Sequence, residues 1–289
     1  MDFSFVLCYN MKPIKRGVKM IYLTEEDKNK IQYDGWNKVT RLNLSSGSYY
    51  AKFKGNRGAF RELFGKKIFD IIGISTPEYM YIADKKCILS SDLNQTYENF
   101  IFAEELDDIT NMSVLYELLK QFKNSDELTT AVNIMHFVDI LFCNTDRHSS
   151  NYGFAVKDDG TAKLVVFDNE LMLEDFTHAT RPVSFPTNSH LTFTEYSKEC
   201  EYKYFLETLS EEQKQLISYY LQKLDLKTVY AIINSIERES GCKLKNKNKL
   251  FLKYIKNYIM LYKCTMVESR KSPKNLENKV KIKKEKQID

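Results

Sequence analysis

The sequence predicts an α+β chain of two lobes: a small antiparallel β-rich lobe carrying one helix, then a mainly helical lobe. Three observations predict it. Period-two alternation and turn signals crowd residues ~35–93. Helical periodicity takes over afterwards, in 114–122, in 127–142 and from 211 to about 269. A hairpin signal, Asp158-Asp159-Gly160 between two apolar runs, interrupts the helices.

The elements follow in order. Residues 37–54, NKVTRLNLSSGSYYAKFK, read as a strand, a small-residue turn and a second strand. Tyr49, Ala51 and Phe53 share one face of that second strand, and Tyr50, Lys52 and Lys54 the other. Phe60, Leu63, Phe64, Ile68, Ile71 and Ile72 recur at helical spacing, with Gly73 as C-cap and Glu62 one turn into the helix. PEYMYIADKKCILSS (77–91) reads as two short strands about Asp84-Lys85-Lys86. In the second lobe, Leu128, Ala131, Val132, Met135, Val138, Ile140 and Leu141 make a broad apolar helical face. YGFAV and KLVVF form the hairpin, Ser210 and Gln213 give a capping box, and Gly241 breaks the helical run that follows. The expected division is 1–93, 94–269 and a basic, solvated tail at 270–289; Met20 is an alternative start, so residues 1–19 carry little weight.

Composition narrows the class. With 43% hydrophobic and 28% charged residues, 19 Tyr and 18 Phe, the chain reads as globular. No apolar run reaches the ~18–20 residues of a membrane span. Cys8, Cys87, Cys143, Cys200, Cys242 and Cys264 form no CxxC pair, which favours reduced thiols in a cytoplasmic setting over a disulfide or zinc framework. Seven lysines against Glu277, Glu285 and Asp289 in residues 271–289 account for the whole net charge of +4. The body is therefore neutral, with no excess charge for a nucleic-acid surface.

The chemistry gathers at LFCNTDRHSSNYGF (141–154), where an apolar helical run meets a carboxylate, a guanidinium, an imidazole, hydroxyls and carboxamides. Such groups are costly beside a core unless compensated. Asn151 lies just before the hairpin and Asp168, in VVFDNE, just after it, so folding of the hairpin can bring the two together. Two oxygen donors at a hairpin mouth suit Mg²⁺ with substrate phosphates. Asp146 is left to accept a proton or orient a hydroxyl. Protein kinases have an Asp, an Asn five residues on and a metal-binding Asp after a hairpin. Asp146 and Asn151 reproduce that spacing, and Asp168 stands at the third position, followed here by Asn-Glu and not Phe-Gly. Upstream, Lys52 in YYAKF stands like the phosphate-binding kinase lysine and Glu62 like its helix partner. The loop before the strand, with Ser46, Gly47 and Ser48, offers backbone N–H groups to phosphate.

On YYAKFKG (49–55), Glu62 with IGISTPEY (72–79), NTDRHSSNYGF (144–154) and VVFDNE (165–170), the chain resembles the HipA-like serine/threonine kinases, over roughly residues 40–265. The resemblance implies a bilobed protein-kinase-like fold and transfer of the ATP γ-phosphoryl group to a protein hydroxyl. It implies Asp146 as catalytic base, Asn151 and Asp168 as Mg²⁺ ligands and Lys52 on the ATP phosphates. The short length is similar to the compact, CtkA-like form of the family, which would imply delivery into a host cell as an alternative to a cytoplasmic site, whereas toxin members imply an antitoxin partner. Autophosphorylation in the phosphate loop would fall on Ser45, Ser46 or Ser48. A loop with one glycine where the family has three makes that cradle the weakest carry-over. DRHxxN also occurs in phosphoinositide kinases, so a lipid kinase is one alternative; a nucleotide-binding pseudokinase or interaction module is another.

Plainer readings stand beside these. Lys54 rivals Lys52 on the same strand face, and Glu62 could pair with Lys66 at i+4. His148 is assigned to holding the loop. Arg147 could meet a phosphorylated residue or a loop carbonyl, and the sequence does not decide. Asp158 and Asp159 read as turn residues, Cys143 as core, and Phe251, Tyr254, Tyr258 and Tyr262 as helix packing. The residues after Asp168, LMLEDFTHATRPVSF, carry no readable acceptor specificity.

Overall fold

The computed structural model describes residues 23–33, 39–109, 112–144, 146–173, 209–244 and 247–265. The expectations for residues 1–19, for the basic tail at 270–289, for most of LMLEDFTHATRPVSF and for Cys8 and Cys200 lie outside the described residues.

The first lobe is built on a four-stranded antiparallel sheet of order β1-β2-β4-β3, with β1 at Val39–Leu44, β2 at Gly47–Lys52, β3 at Tyr79–Ile82 and β4 at Cys87–Ser91. The alternation of β2 decides its two faces. Tyr49 and Ala51 are buried in a small core with Ile31, Leu44, Ile82, Cys87 and Leu89, while Lys52 points the other way. A short helix, α1 (Glu25–Lys30), docks on this core. Its capping residue Asp27 accepts hydrogen bonds from Thr24 N and from the backbone and hydroxyl of Ser45.

Helix α2 (Gly55–Ile72) follows β2 and ends at Gly73 in the left-handed region (φ 82°), where a side chain would be strained. Phe60, Phe64, Ile68 and Ile72 are buried in the main core. Phe64 reaches across to Phe142, with ring centroids 5.1 Å apart at 80°. This contact joins α2 to the long helix of the second lobe.

The second lobe departs from the sequence reading at its start. After the short helix α3 (Leu93–Thr96) the chain forms a strand, β5 (Asn99–Phe102), before the longer helices begin. This strand pairs antiparallel with β6 (Tyr152–Val156), which pairs with β7 (Ala162–Val166), so the expected hairpin is two-thirds of a three-stranded sheet. NFIF is too short to stand out by periodicity, and its partner lies about fifty residues away. One face of this sheet, with Tyr152, Phe154, Leu164 and Val166, enters the main core. The other carries Phe100, Ala155, Val165 and Phe167. The Asp158-Asp159-Gly160 turn is structural: Asp159 Oδ1 accepts from Thr161 N at 2.8 Å, and Gly160 has φ 80°.

Helices α4 (Met112–Leu119), α5 (Ser125–Phe142), α6 (Glu211–Lys223), α7 (Leu226–Ser240) and α8 (Lys247–Thr265) complete the lobe. The Ser210/Gln213 capping box and the Gly241 stop stand as read. Tyr254, Tyr258 and Tyr262 stack along α8, and Tyr254 meets Phe142 at 5.5 Å. Asn257 of α8 donates to the carbonyls of Ile140 and Leu141, satisfying groups that the end of α5 leaves open. Cys87, Cys143 and Cys242 are buried and form no disulfide among the described residues. Among the described residues, no helix is long and apolar enough to cross a membrane.

Phe64→Ala should lower the unfolding free energy by about 3–5 kcal/mol, because it opens a cavity where α2, α5 and the main core meet. Equilibrium denaturation of the two proteins measures this, and a loss under ~1 kcal/mol would place the junction elsewhere.

Candidate active site

The site begins where α5 ends. Cys143 takes the left-handed conformation (φ 54°) and ends the helix three residues before Asp146, which sits in the loop that follows. Asp139, in the last turn of α5, organises the turn. Its carboxylate accepts from Asn144 Nδ2 (2.8 Å), Arg147 Nε (2.9 Å) and Arg147 Nη2 (3.2 Å). Asp139 and Arg147 are both fully buried. Burial pushes the Asp139 carboxyl up, against the pull of Arg147 and Asn144.

Arg147 resolves the choice the sequence left open: it binds carbonyls. Nη1 donates to Asn151 O (2.9 Å) and Phe167 O (2.7 Å), and Nη2 also to Asn169 Oδ1 (2.6 Å). With the two bonds to Asp139, all five guanidinium donors are used. One side chain thus ties the end of α5, the Asp146 loop, the hairpin mouth and the segment after Asp168. The guanidinium also lies 5.9 Å from the Phe69 ring centroid.

The polar loop then falls into place. Asn151 Nδ2 donates to Asp146 O (2.6 Å) and lies 3.2 Å from His148 Nε2. His148 is thus in contact with both neighbours, Asp146 Oδ2 being 3.9 Å away. Phe167 N donates to Asn151 O (3.1 Å), which extends the hairpin ladder and sets the Asn151 and Asp168 backbones side by side. The side chain of Asp146 remains open to solvent.

From the first lobe, Lys52 and Glu62 pair at 2.6 Å, both buried. Glu62 does not take Lys66, which reaches Asp70 and Glu78 instead. The second oxygen of Glu62 accepts from Asn169 N (2.9 Å), so α2 is bonded directly to the residue after Asp168. Asp168 Oδ1 lies 3.4 Å from Lys52 Nζ and 3.8 Å from Lys54 Nζ. Burial raises the Asp168 carboxyl, but Lys52 and Lys54 outweigh it and hold it below the ordinary value. Burial depresses Lys52, but Glu62 and Asp168 overcome this and keep it a firm ammonium.

Three supports were not legible in sequence. Asp139 hides in the apolar run VDILF, where a lone carboxylate eight residues before an arginine is the available signal. Arg61, next to Glu62, donates to Glu170 O (2.9 Å) and Leu173 O (3.2 Å). Gly65 leaves room for Asn169, since a Cβ there would lie 2.5 Å from that of Asn169.

The phosphate loop is less free than expected. It is a tight β1–β2 turn whose Ser45 N–H is taken by Asp27 and whose Ser48 N–H is taken by Gln95 Oε1 (3.1 Å). The Ser48 hydroxyl donates to Asn43 Oδ1 and is buried. Of the serines named from sequence, Ser45 and Ser46 are exposed, the Ser45 hydroxyl donating to Asp27 Oδ2 (2.5 Å), and Gly47 has φ 139°.

The donor set fits a hard divalent cation. Asn151 supplies a carboxamide, and Asp168 an ionised carboxylate whose Oδ1 is buried without a hydrogen bond. Lys52 and Lys54 face three carboxylates, Glu62, Asp168 and Glu170, so one negative charge is in excess.

Two predictions follow from this network. Arg147→Met leaves Asp139 buried and unpaired and should cost about 3–5 kcal/mol in denaturant unfolding, with much of it recovered in Arg147→Met/Asp139→Leu. His136, buried on α5, is lowered to about 3 by burial and by Arg147. Below its unfolded value of 6.5 the unfolded chain takes up a proton that the folded chain refuses until about pH 3. Stability therefore falls on acidification through that window, by up to about 1.4 kcal/mol per pH unit. The slope of unfolding free energy against pH should flatten in His136→Gln, and equal slopes would refute the assignment.

No family model matches the chain, and no curated protein matches it. Solved structures do. CtkA, a proinflammatory kinase of Helicobacter pylori, matches with a TM-score of 0.58 at 15% identity, covering 79% of this chain and 94% of that one. HipA of the Shewanella oneidensis MR-1 toxin–antitoxin system, in its complex with HipB and operator DNA, matches with a TM-score of 0.47 at 11% identity, over 79% of this chain and 63% of that one. The chain shares the α+β fold of CtkA, the fold class expected from its sequence.

Proposed function

We propose that this chain is an ATP-dependent protein kinase that transfers the γ-phosphoryl group to a serine or threonine hydroxyl. The observation that carries the reading is the continuous chain Lys52–Glu62–Asn169–Arg147–Asn151, which puts an ammonium, a metal-competent carboxylate and a solvent-open carboxylate around one cleft. Phosphoryl transfer asks for little else, since most of its catalysis is positioning and charge neutralisation.

In this reading Lys52 holds the nucleotide phosphates, and Glu62 keeps the ammonium aimed between Glu62 and Asp168. Asn151 and Asp168 hold Mg²⁺, which when bound offsets phosphate charge. Asp146 orients the acceptor hydroxyl and takes its proton. His148 and Asn151 brace the loop that carries it. Ser46 and Gly47 are the remaining phosphate-loop contacts, and Ser46, exposed and not held by Asp27 as the Ser45 hydroxyl is, is the candidate for self-modification. An antitoxin-type partner belongs to the proposal through the sequence resemblance alone.

Asp146→Ala should retain the thermal shift produced by ATP with Mg²⁺ while phosphate incorporation from γ-labelled ATP falls about 10²–10⁴-fold. The assay is run with protein acceptors and with phosphoinositide vesicles. Incorporation that persists in the variant would sink the role of Asp146, and transfer to lipid alone would replace the protein-kinase reading. Nucleotide binding with no transfer from the wild type to any acceptor would make the chain a pseudokinase.

A further inference from the structure

The lysine that the kinase comparison leaves without a task is Lys54, which lies just past β2. Its ammonium lies 2.5 Å from Glu170 Oε2 and 3.8 Å from Asp168 Oδ1, and its side chain is mostly buried. It is also the N-cap residue of α2, and its side chain makes no capping bond to the helix. Glu170 follows Asp168 by two residues, and its carboxylate is held in the same partly buried cleft. Its backbone is fixed independently, because Arg61 holds its carbonyl. Glu170 therefore cannot leave the cleft by moving its main chain without breaking that bond.

We infer that Lys54 is a positioning residue: it occupies the Glu170 carboxylate so that Asp168, alone of the two, is presented to a divalent cation. The inference rests on the kinase reading of the site. Two carboxylates two residues apart compete for one cation and repel one another. Lys52 cannot quiet both, since its short contact is with Glu62. Lys54 is the second ammonium within reach, and its short contact is with Glu170 and not Asp168. Without Lys54, Glu170 stands as an unpaired carboxylate beside Asp168, free to draw the cation away from Asn151. Without both charges, the need for Lys54 disappears.

The test is calorimetric titration of Mg²⁺ into protein saturated with a non-hydrolysable ATP analogue, on wild type, Lys54→Met, Lys54→Met/Glu170→Gln and Lys54→Arg. Lys54→Met should weaken Mg²⁺ binding about tenfold, the size typical for residues that orient a metal ligand. The double variant should return to within about twofold of wild type, and Lys54→Arg should stay close to it. Melting temperatures are measured in parallel, so that a folding defect in Lys54→Met is seen directly; the comparison of Lys54→Arg with wild type then carries the test. Unchanged Mg²⁺ binding in Lys54→Met, or equal weakening in the single and double variants, overturns the role of Lys54. A wild-type protein that binds neither the analogue nor Mg²⁺ overturns the kinase reading beneath it.

Discussion

The buried Arg147–Asp139 pair is the constraint on which the rest of the site depends. Removing both charges from water costs several kcal/mol per ion, and the mutual attraction repays this only where geometry and further hydrogen bonds are favourable. Here both conditions are met. Asp139 accepts three bonds, and Arg147 spends its three remaining donors on Asn151 O, Phe167 O and Asn169 Oδ1. A lysine could not do this, because its compact ammonium lacks the planar fork that spans two carbonyls and a carboxylate at once. The pair converts three separate segments into one polar body buried under the main core.

Helix α2 is the second support, and it meets the first at Asn169. Arg147 holds the side-chain oxygen of Asn169 and Glu62 holds its backbone N–H, so the residue after Asp168 is gripped from both lobes. Arg61 extends the grip to Glu170 and Leu173. Leu173 has φ 56°, an unfavourable value for its side chain, and Leu173 N is fixed to Phe142 O at 3.0 Å. Where protein kinases follow the metal-binding Asp with Phe-Gly, this chain has Asn-Glu and a polar clasp. Gly65 is part of the same solution, since only its missing side chain lets Asn169 pack against α2.

Much of this was readable in the sequence, and the reason is locality. Strand alternation placed Lys52 opposite Ala51, helical spacing placed Glu62, and the hairpin signal brought Asn151 and Asp168 to one mouth. The expected pairing of Glu62 with Lys52 matches the geometry, and the aromatic stripe of α8 packs as read. What escaped were groups whose meaning lies in distant partners. Asp139 is one polar letter in an apolar run, Arg61 looks like a surface helix residue beside Glu62, and β5 is four residues that need β6 to be a strand. The phosphate loop was read as a donor-rich turn, but Asp27, from a short helix the sequence did not single out, and Gln95 occupy two of its amides.

Anchorage also fixes the floor of the cleft. Displacing Asp168 means breaking bonds to Arg147, Glu62 and Arg61 that are largely shielded from water, where an unmade polar contact is most costly. Ser46 sits in an exposed turn, but that turn is tied to the buried Asp27 carboxylate through the backbone and hydroxyl of Ser45. A ligand entering this cleft would meet a fixed floor, formed by Asn151, Asp168 and Lys52. Specific positioning must come from the floor, which is why the charges there are paired one to one, Lys52 with Glu62 and Lys54 with Glu170, and why Asp168 is the carboxylate left without a close partner of its own.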